Sequence, residues 1–150
     1  MLIVYATMQS DYAMENSYRR LNPIFDNEKL QNKIVVTNEE YFFRNIDYLN
    51  NIRIILITKN NLSKNIDVEC FKSLNHLINN NLFDDKELYL IGDYKFLKEA
   101  LFYADKIITN IVDDKIDNPT KYFPNIDENI WQLTKIKEET PRINKLVYRK

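Results

Sequence analysis

The stretch of this chain best placed to do chemistry with its backbone is Leu90-Ile91-Gly92-Asp93, where an apolar run meets a glycine and then an amphipathic pattern. Gly92 is the only glycine in 150 residues, where ordinary usage would give about ten. Glycine admits φ > 0 and the close approach of another backbone or a ligand. A helix N-terminus behind it is a ready anion site. Yet the next residue is Asp93, a negative charge where a phosphate would otherwise rest. The preferred reading makes Asp93 an N-cap whose carboxylate bonds the helix's own free N–H groups, so that the protein fills its anion site from within. Other chemistry is poorly supplied. His76 and Cys70 are the only residues of their types, too few for a zinc site of usual composition, and His76 is expected to be solvated or to cap a helix. Asp84-Asp85 and Asp113-Asp114 lack the spacing of a calcium loop and read as solvated turns. Basic residues are dispersed apart from Arg149-Lys150, which gives no stripe for nucleic acid.

The elements that must position this turn follow from composition and pattern. A chain of this length forms one domain. With 21 basic and 22 acidic residues, it sets up no general field that would recruit nucleic acid or anionic lipid. The lone cysteine excludes an intramolecular disulfide and suits a reducing compartment, the cytoplasm or the interior of a virus particle. No apolar run reaches the ~18 residues of a membrane span, and Met1–Met8 reads as a first strand and not a signal peptide. Abundant Asn, Ile, Lys, Tyr and Phe point to A/T-biased codons, as in a compact viral genome. Leu2–Met8 is a central strand buried on both faces, and Gln9–Arg20 is a loop. Pro23 opens a short helix carrying Phe25 and Leu30. Lys33–Thr37 and Arg53–Thr58 are strands that flank a helix over Glu39–Leu49, with Phe42, Phe43, Ile46 and Leu49 inward. Val68–Phe71 is a short strand, and Ser73 caps a helix over Leu74–Asn79. Leu88–Ile91 is a strand and Asp93–Tyr103 a helix, with Phe96, Leu97, Ala100 and Leu101 on its inner stripe. Lys106–Ile111, Trp131–Ile136 and Ile143–Tyr148 follow as strands, with Tyr103, Tyr122 and Phe123 in the core or at its edge. The order predicts an α/β fold, a mostly parallel sheet with antiparallel strands added at one edge.

This order and several local strings resemble the dihydrofolate reductase family along essentially the whole chain. The opening strand with Ala6, then Asp11 and Met14-Glu15-Asn16, is similar to the family's first strand and mobile loop. Leu90-Ile91-Gly92 resembles its cofactor-phosphate turn. Ala104-Asp105-Lys106, Thr109, Thr120-Lys121-Tyr122-Phe123-Pro124 and then Trp131 follow its pattern, with one extra residue. The resemblance implies a pocket acid just after a Leu-Pro pair at a helix start. Here Asp26 is the catalytic candidate, with Leu30 on the same helix face, while an ungapped alignment puts Asn22 there instead. Tyr5, Ala6 and Thr109 would line the pteridine pocket. For NADPH the family supplies a Gly-Arg-x-Thr string. Here the matching residues are Asn38-Glu39-Glu40-Tyr41, so a guanidinium has become a carboxylate, and Gly92-Asp93 replaces two adjacent glycines. Lys59 and Lys95 would offset part of that repulsion. The mobile loop lacks the family's glycine, proline and tryptophan, and Arg53 reads as the start of a strand, not as a ligand for a substrate's tail.

The preferred expectation is a dihydrofolate-reductase-like domain that has lost catalysis, binds no cofactor or metal, and works as a binding or structural module with a protein partner or a second copy of itself. The alternative is an active NADPH-dependent reductase in which Asp26 is the acid and Gly92, Lys59 and Lys95 hold the cofactor. A third reading keeps a small-molecule pocket without hydride transfer.

Overall fold

A computed structural model describes residues 1–9, 12, 14, 22–60, 68–80, 83–113 and 121–150, with side chains excepted at 22–24. Asp11, Glu15, Asn16, Asp114 and Thr120, and the side chain of Asn22, lie outside the described residues. The strands are β1 (Leu2–Gln9), β2 (Ile34–Asn38), β3 (Arg53–Ile57), β4 (Glu69–Phe71), β5 (Leu88–Leu90), β6 (Lys106–Val112), β7 (Gln132–Thr140) and β8 (Ile143–Arg149). They form one sheet in the order β4-β3-β2-β5-β1-β6-β8-β7. Every pair is parallel except β6 with β8 and β8 with β7. The helices are α1 (Asn22–Leu30), α2 (Glu39–Arg44), α3 (Leu74–Ile78) and α4 (Tyr94–Tyr103). This is the mixed α/β single domain that the element order predicts.

Strand alternation divides the core. On one face Val4, Ala6 and Met8 of β1 pack with Leu74 and Leu77 of α3 and with Phe96, Leu97 and Ala100 of α4. On the other, Ile3 and Tyr5 pack with Leu30 of α1 and Phe42 of α2. Each face is covered by helices, so the central strands are apolar on both sides and read as continuous runs.

The expected helix over Glu39–Leu49 is shorter than its pattern. α2 stops at Arg44, and a separate 3-10 turn spans Ile46–Tyr48. Asn45 makes the break: its N–H reaches the carbonyls of both Tyr41 and Phe42, and its side-chain amide donates to Tyr41 O at 2.9 Å. Of the expected inward stripe, Phe42 is buried and Leu49, after the 3-10 turn, is partly buried against the same core, while Phe43 and Ile46 are exposed. Leu101 is only partly buried and packs on the rim of the core. Ser73 caps α3 as expected, accepting the His76 N–H at 3.0 Å, and the exposed His76 ring sits edge-on to Phe71.

Candidate functional site

The polar residues converge at the carboxyl ends of β1, β2 and β5, where an open α/β sheet reverses its strand order and characteristically forms its crevice. Asp26 sits in the middle of α1, which lies over the Tyr5 face of β1. Two residues apart on that face, Tyr5 and Thr7 both donate to Asp26 Oδ1. The Tyr5 hydroxyl stands at 3.1 Å, and the Thr7 hydroxyl makes the closer bond. Asn110 of β6, paired in register with Thr7, donates to Thr7 Oγ1 at 3.3 Å. A four-residue chain thus fixes a carboxyl that is only 9% exposed.

Burial disfavours the charged form and pushes the Asp26 carboxyl up to about 7, against the smaller opposing pull of the Thr7 and Tyr5 bonds. Burial and the neighbouring carboxylate push the Tyr5 phenol far up as well. Asp26 is therefore a carboxyl poised near neutrality, the condition for a group that exchanges a proton at physiological pH. Leu30 shares its helix face, and both residues border a small cavity with Tyr41, Asn45, Tyr48 and Leu49. Its volume is about 10 Å³, room for a single water.

Ala6 and Thr109 are not part of this arrangement. Side chains alternate across the sheet, so Ala6 belongs to the α3/α4 face with Val4 and Met8. Thr109, its parallel partner, shares that face, and its hydroxyl turns to Leu146 O at 3.5 Å. Of the three residues expected together, only Tyr5 meets Asp26. Thr7 and Asn110 complete the network instead. For Thr7 the available signal was its position two residues beyond Tyr5 on the same strand face. For Asn110 it was a polar residue inside an otherwise apolar strand.

Gly92 follows β5 and has no positive φ, which corrects one of the two reasons for expecting a glycine. Close approach is the operative one. A Cβ there would overlap Asn38 Oδ1 and come within 2.6 Å of Phe96 Cδ1. Asp93 does occupy the N-cap position of α4, but its side chain makes no capping bond. The carboxylate instead pairs with the Arg44 guanidinium and accepts from Asn38 Nδ2 at 3.1 Å. A charged donor outcompetes neutral amides for a carboxylate, and Arg44 at the end of α2 is within reach. The guanidinium also lies 5.7 Å from the Tyr41 ring centroid.

Glu39, the first residue of α2, accepts from Thr58 Oγ1 at 2.8 Å and from Asn60 Nδ2 at 2.9 Å. Glu40 is exposed beside it, Lys59 is exposed after β3, and Lys95 is exposed in the first turn of α4. The cluster at these chain turns is therefore Asn38, Glu39, Tyr41, Arg44 and Asp93. Sequence reading missed Arg44, because nothing local marks a partner 49 residues away. Arg53 opens β3 and pairs with Glu69 at 2.7 Å, as a strand residue and not a pocket ligand. Among the described residues no group of acidic, His and Cys side chains could hold a metal. No described helix is long and apolar enough to cross a membrane.

Comparison with known proteins agrees with this architecture. The model of the family described as dihydrofolate reductase matches residues 27–149, a span that starts one residue after Asp26. No curated protein sequence matches the chain. Among solved structures, the dihydrofolate reductase of Enterococcus faecalis, complexed with NADP(H) and RAB-propyl, is similar with a TM-score of 0.73 and 16% identity. That similarity covers 99% of this chain and 95% of the other. An eight-stranded sheet with one antiparallel edge, a crevice at its reversal point and a family match over most of the sequence have one common explanation: the chain belongs to the dihydrofolate reductase family.

Proposed function

We propose that this family member no longer transfers hydride and serves as a binding or structural module. One observation carries the reading. The space that Asp26 shares with Leu30, Tyr41, Asn45, Tyr48, Leu49 and Ile91 has a volume of about 10 Å³, too small for a substrate ring. Tyr41 stands where the family pattern has threonine and borders that residual space.

The fit to NADPH is poor for a second reason. Four donors that could take a phosphate already hold carboxylates: Arg44 and Asn38 hold Asp93, and Thr58 and Asn60 hold Glu39. An incoming phosphate would have to displace a like charge from each. At ~5 Å and an intermediate dielectric this repulsion is on the order of 1–3 kcal/mol per carboxylate. The module would act in a reducing compartment, cytoplasm or virus particle. It would meet a protein partner or a second copy through apolar side chains left outside, such as Phe102, 79% exposed on α4, and Ile136, 65% exposed on β7.

The test is a titration with NADPH that follows melting temperature and Trp131 fluorescence, together with a dihydrofolate-dependent NADPH oxidation assay. A shift below about 1 °C at millimolar cofactor, with no oxidation above background, is expected. Stabilisation by several degrees at tens of micromolar cofactor would overturn the proposal.

A second reading, an active NADPH-dependent reductase, has one observation in its favour. Asp26 is buried, doubly hydrogen-bonded and raised to about 7, which suits an acid meant to give up a proton. Under that reading Gly92, Lys59 and Lys95 would border the cofactor, Asp26 would hold the substrate's proton, and Asp26→Asn would abolish turnover without unfolding the chain.

A further inference from the structure

A cavity on the opposite face of the sheet from Asp26 is used by neither reading above. It has a volume of about 660 Å³, within the range of small-molecule sites. Its floor is Phe123, Pro124 and Trp131, all buried. Tyr12 and Tyr148 stand at its sides, and Glu128 is the only charged residue among its described walls.

Two independent details distinguish it from a chance surface hollow. Tyr12 holds a φ of 65°, a left-handed conformation that costs a non-glycine residue and often marks functional loops. Backbone bonds keep it there: the Tyr12 N–H donates to Gln9 O at 2.9 Å, and the Phe123 N–H donates to Tyr12 O at 2.9 Å. In addition, Lys150 Nζ lies 5.2 Å from the Trp131 ring centroid, so the indole face is presented to an ammonium, and an incoming cation would have to displace that of Lys150. Aromatic faces carry negative quadrupole potential, and the Glu128 carboxylate adds to it at the rim.

We propose that this cavity is a binding site for an organic cation with a flat aromatic body, held between the Tyr12, Tyr148, Phe123 and Trp131 rings with its charge turned toward Glu128.

Trp131 is the only tryptophan in the chain, so its indole N–H gives a single reporter resonance in the full-length protein. The probes are N-methylquinolinium, neutral quinoline and anionic quinaldate. N-methylquinolinium should move the indole resonance saturably, with Kd below about 1 mM and at least about threefold tighter than quinoline. Quinaldate should not compete. Glu128→Gln, at an exposed position where folding is not at stake, should weaken N-methylquinolinium about three- to tenfold and leave quinoline unchanged. Absence of any saturable shift would overturn the site. Equal binding of the three probes, or a Glu128→Gln variant indistinguishable from the native chain, would overturn its selectivity for cations.

Discussion

At the scale of single residues, Asp26 concentrates the chemistry. Its carboxyl sits at about 7 in the folded chain against an ordinary value of 3.8, with burial the main cause. Between those values the folded state binds a proton that the unfolded state has released. The contribution to stability is therefore complete below about pH 4 and is lost as pH rises through about 7. Asp26→Asn keeps an acceptor for Tyr5 and Thr7 and removes the buried charge. Its denaturation midpoint should match the native chain near pH 4 and exceed it increasingly up to pH 8; a constant difference across that range would mean Asp26 is not the titrating group. Gly92 offers a second residue-level test. Gly92→Ala should destabilise by about 1–3 kcal/mol through overpacking against Asn38 and Phe96. Asn38→Ala in the same background should recover part of that loss in a double-mutant cycle, because it removes the nearest obstructing atom.

At the scale of elements, α2 and α4 are joined across the crevice by Arg44 and Asp93. The pair is about a third exposed on the arginine side and a quarter on the aspartate side, so its contribution to stability is at most ~1 kcal/mol. Its importance lies in what Arg44 is kept from doing. Asp93→Gly combined with Glu39→Gln and Glu40→Gln would release Arg44, Thr58 and Asn60 for a phosphate. NADPH affinity should then rise by at least about tenfold, and adding Arg44→Ala should cancel the gain. No gain in the triple variant would leave Tyr41 as the obstacle. The element level also shows where sequence reading reached and where it stopped. The succession of elements along the chain, the Ser73 cap and the inner stripe of α4 from Phe96 to Ala100 were legible, because each depends on local spacing or burial. The end of α2 was not, because one asparagine amide overrode an apolar spacing that continued past it. The faces of Ala6 and Thr109 were not resolved either, since strands buried on both sides lose the polar alternation that reveals which way a residue points.

At the scale of the whole molecule, concavities formed by described residues lie on opposite faces of one sheet. The one bordered by Asp26 has a volume of about 10 Å³, and the one over Trp131 about 660 Å³. The position of Asp26 on one helix face with Leu30 was legible through their spacing. Tyr5, Thr7 and Asn110 became a network only once parallel register brought β1 and β6 side by side. The open cavity could not be read in advance, because its walls come from Tyr12, a segment around Phe123 and Pro124, and two late strands. Contacts of that sequence separation leave no periodic trace.

The placement of β1 also governs how this protein comes into being. Its hydrogen-bonding neighbours are β5 and β6, so this largely apolar strand precedes both and stays unpartnered until residues 88–112 have been synthesised. Closing loops of that size before any pairing repays them makes acquisition of the native state slow, in the millisecond-to-second range typical of non-local topologies. During that interval Ile3, Val4 and Met8 offer a bare sheet edge to other nascent chains. Refolding yield should therefore fall steeply with protein concentration. A Val4→Lys variant that escapes this aggregation but cannot reach the native fold would separate the hazard of the route from the stability of its end point.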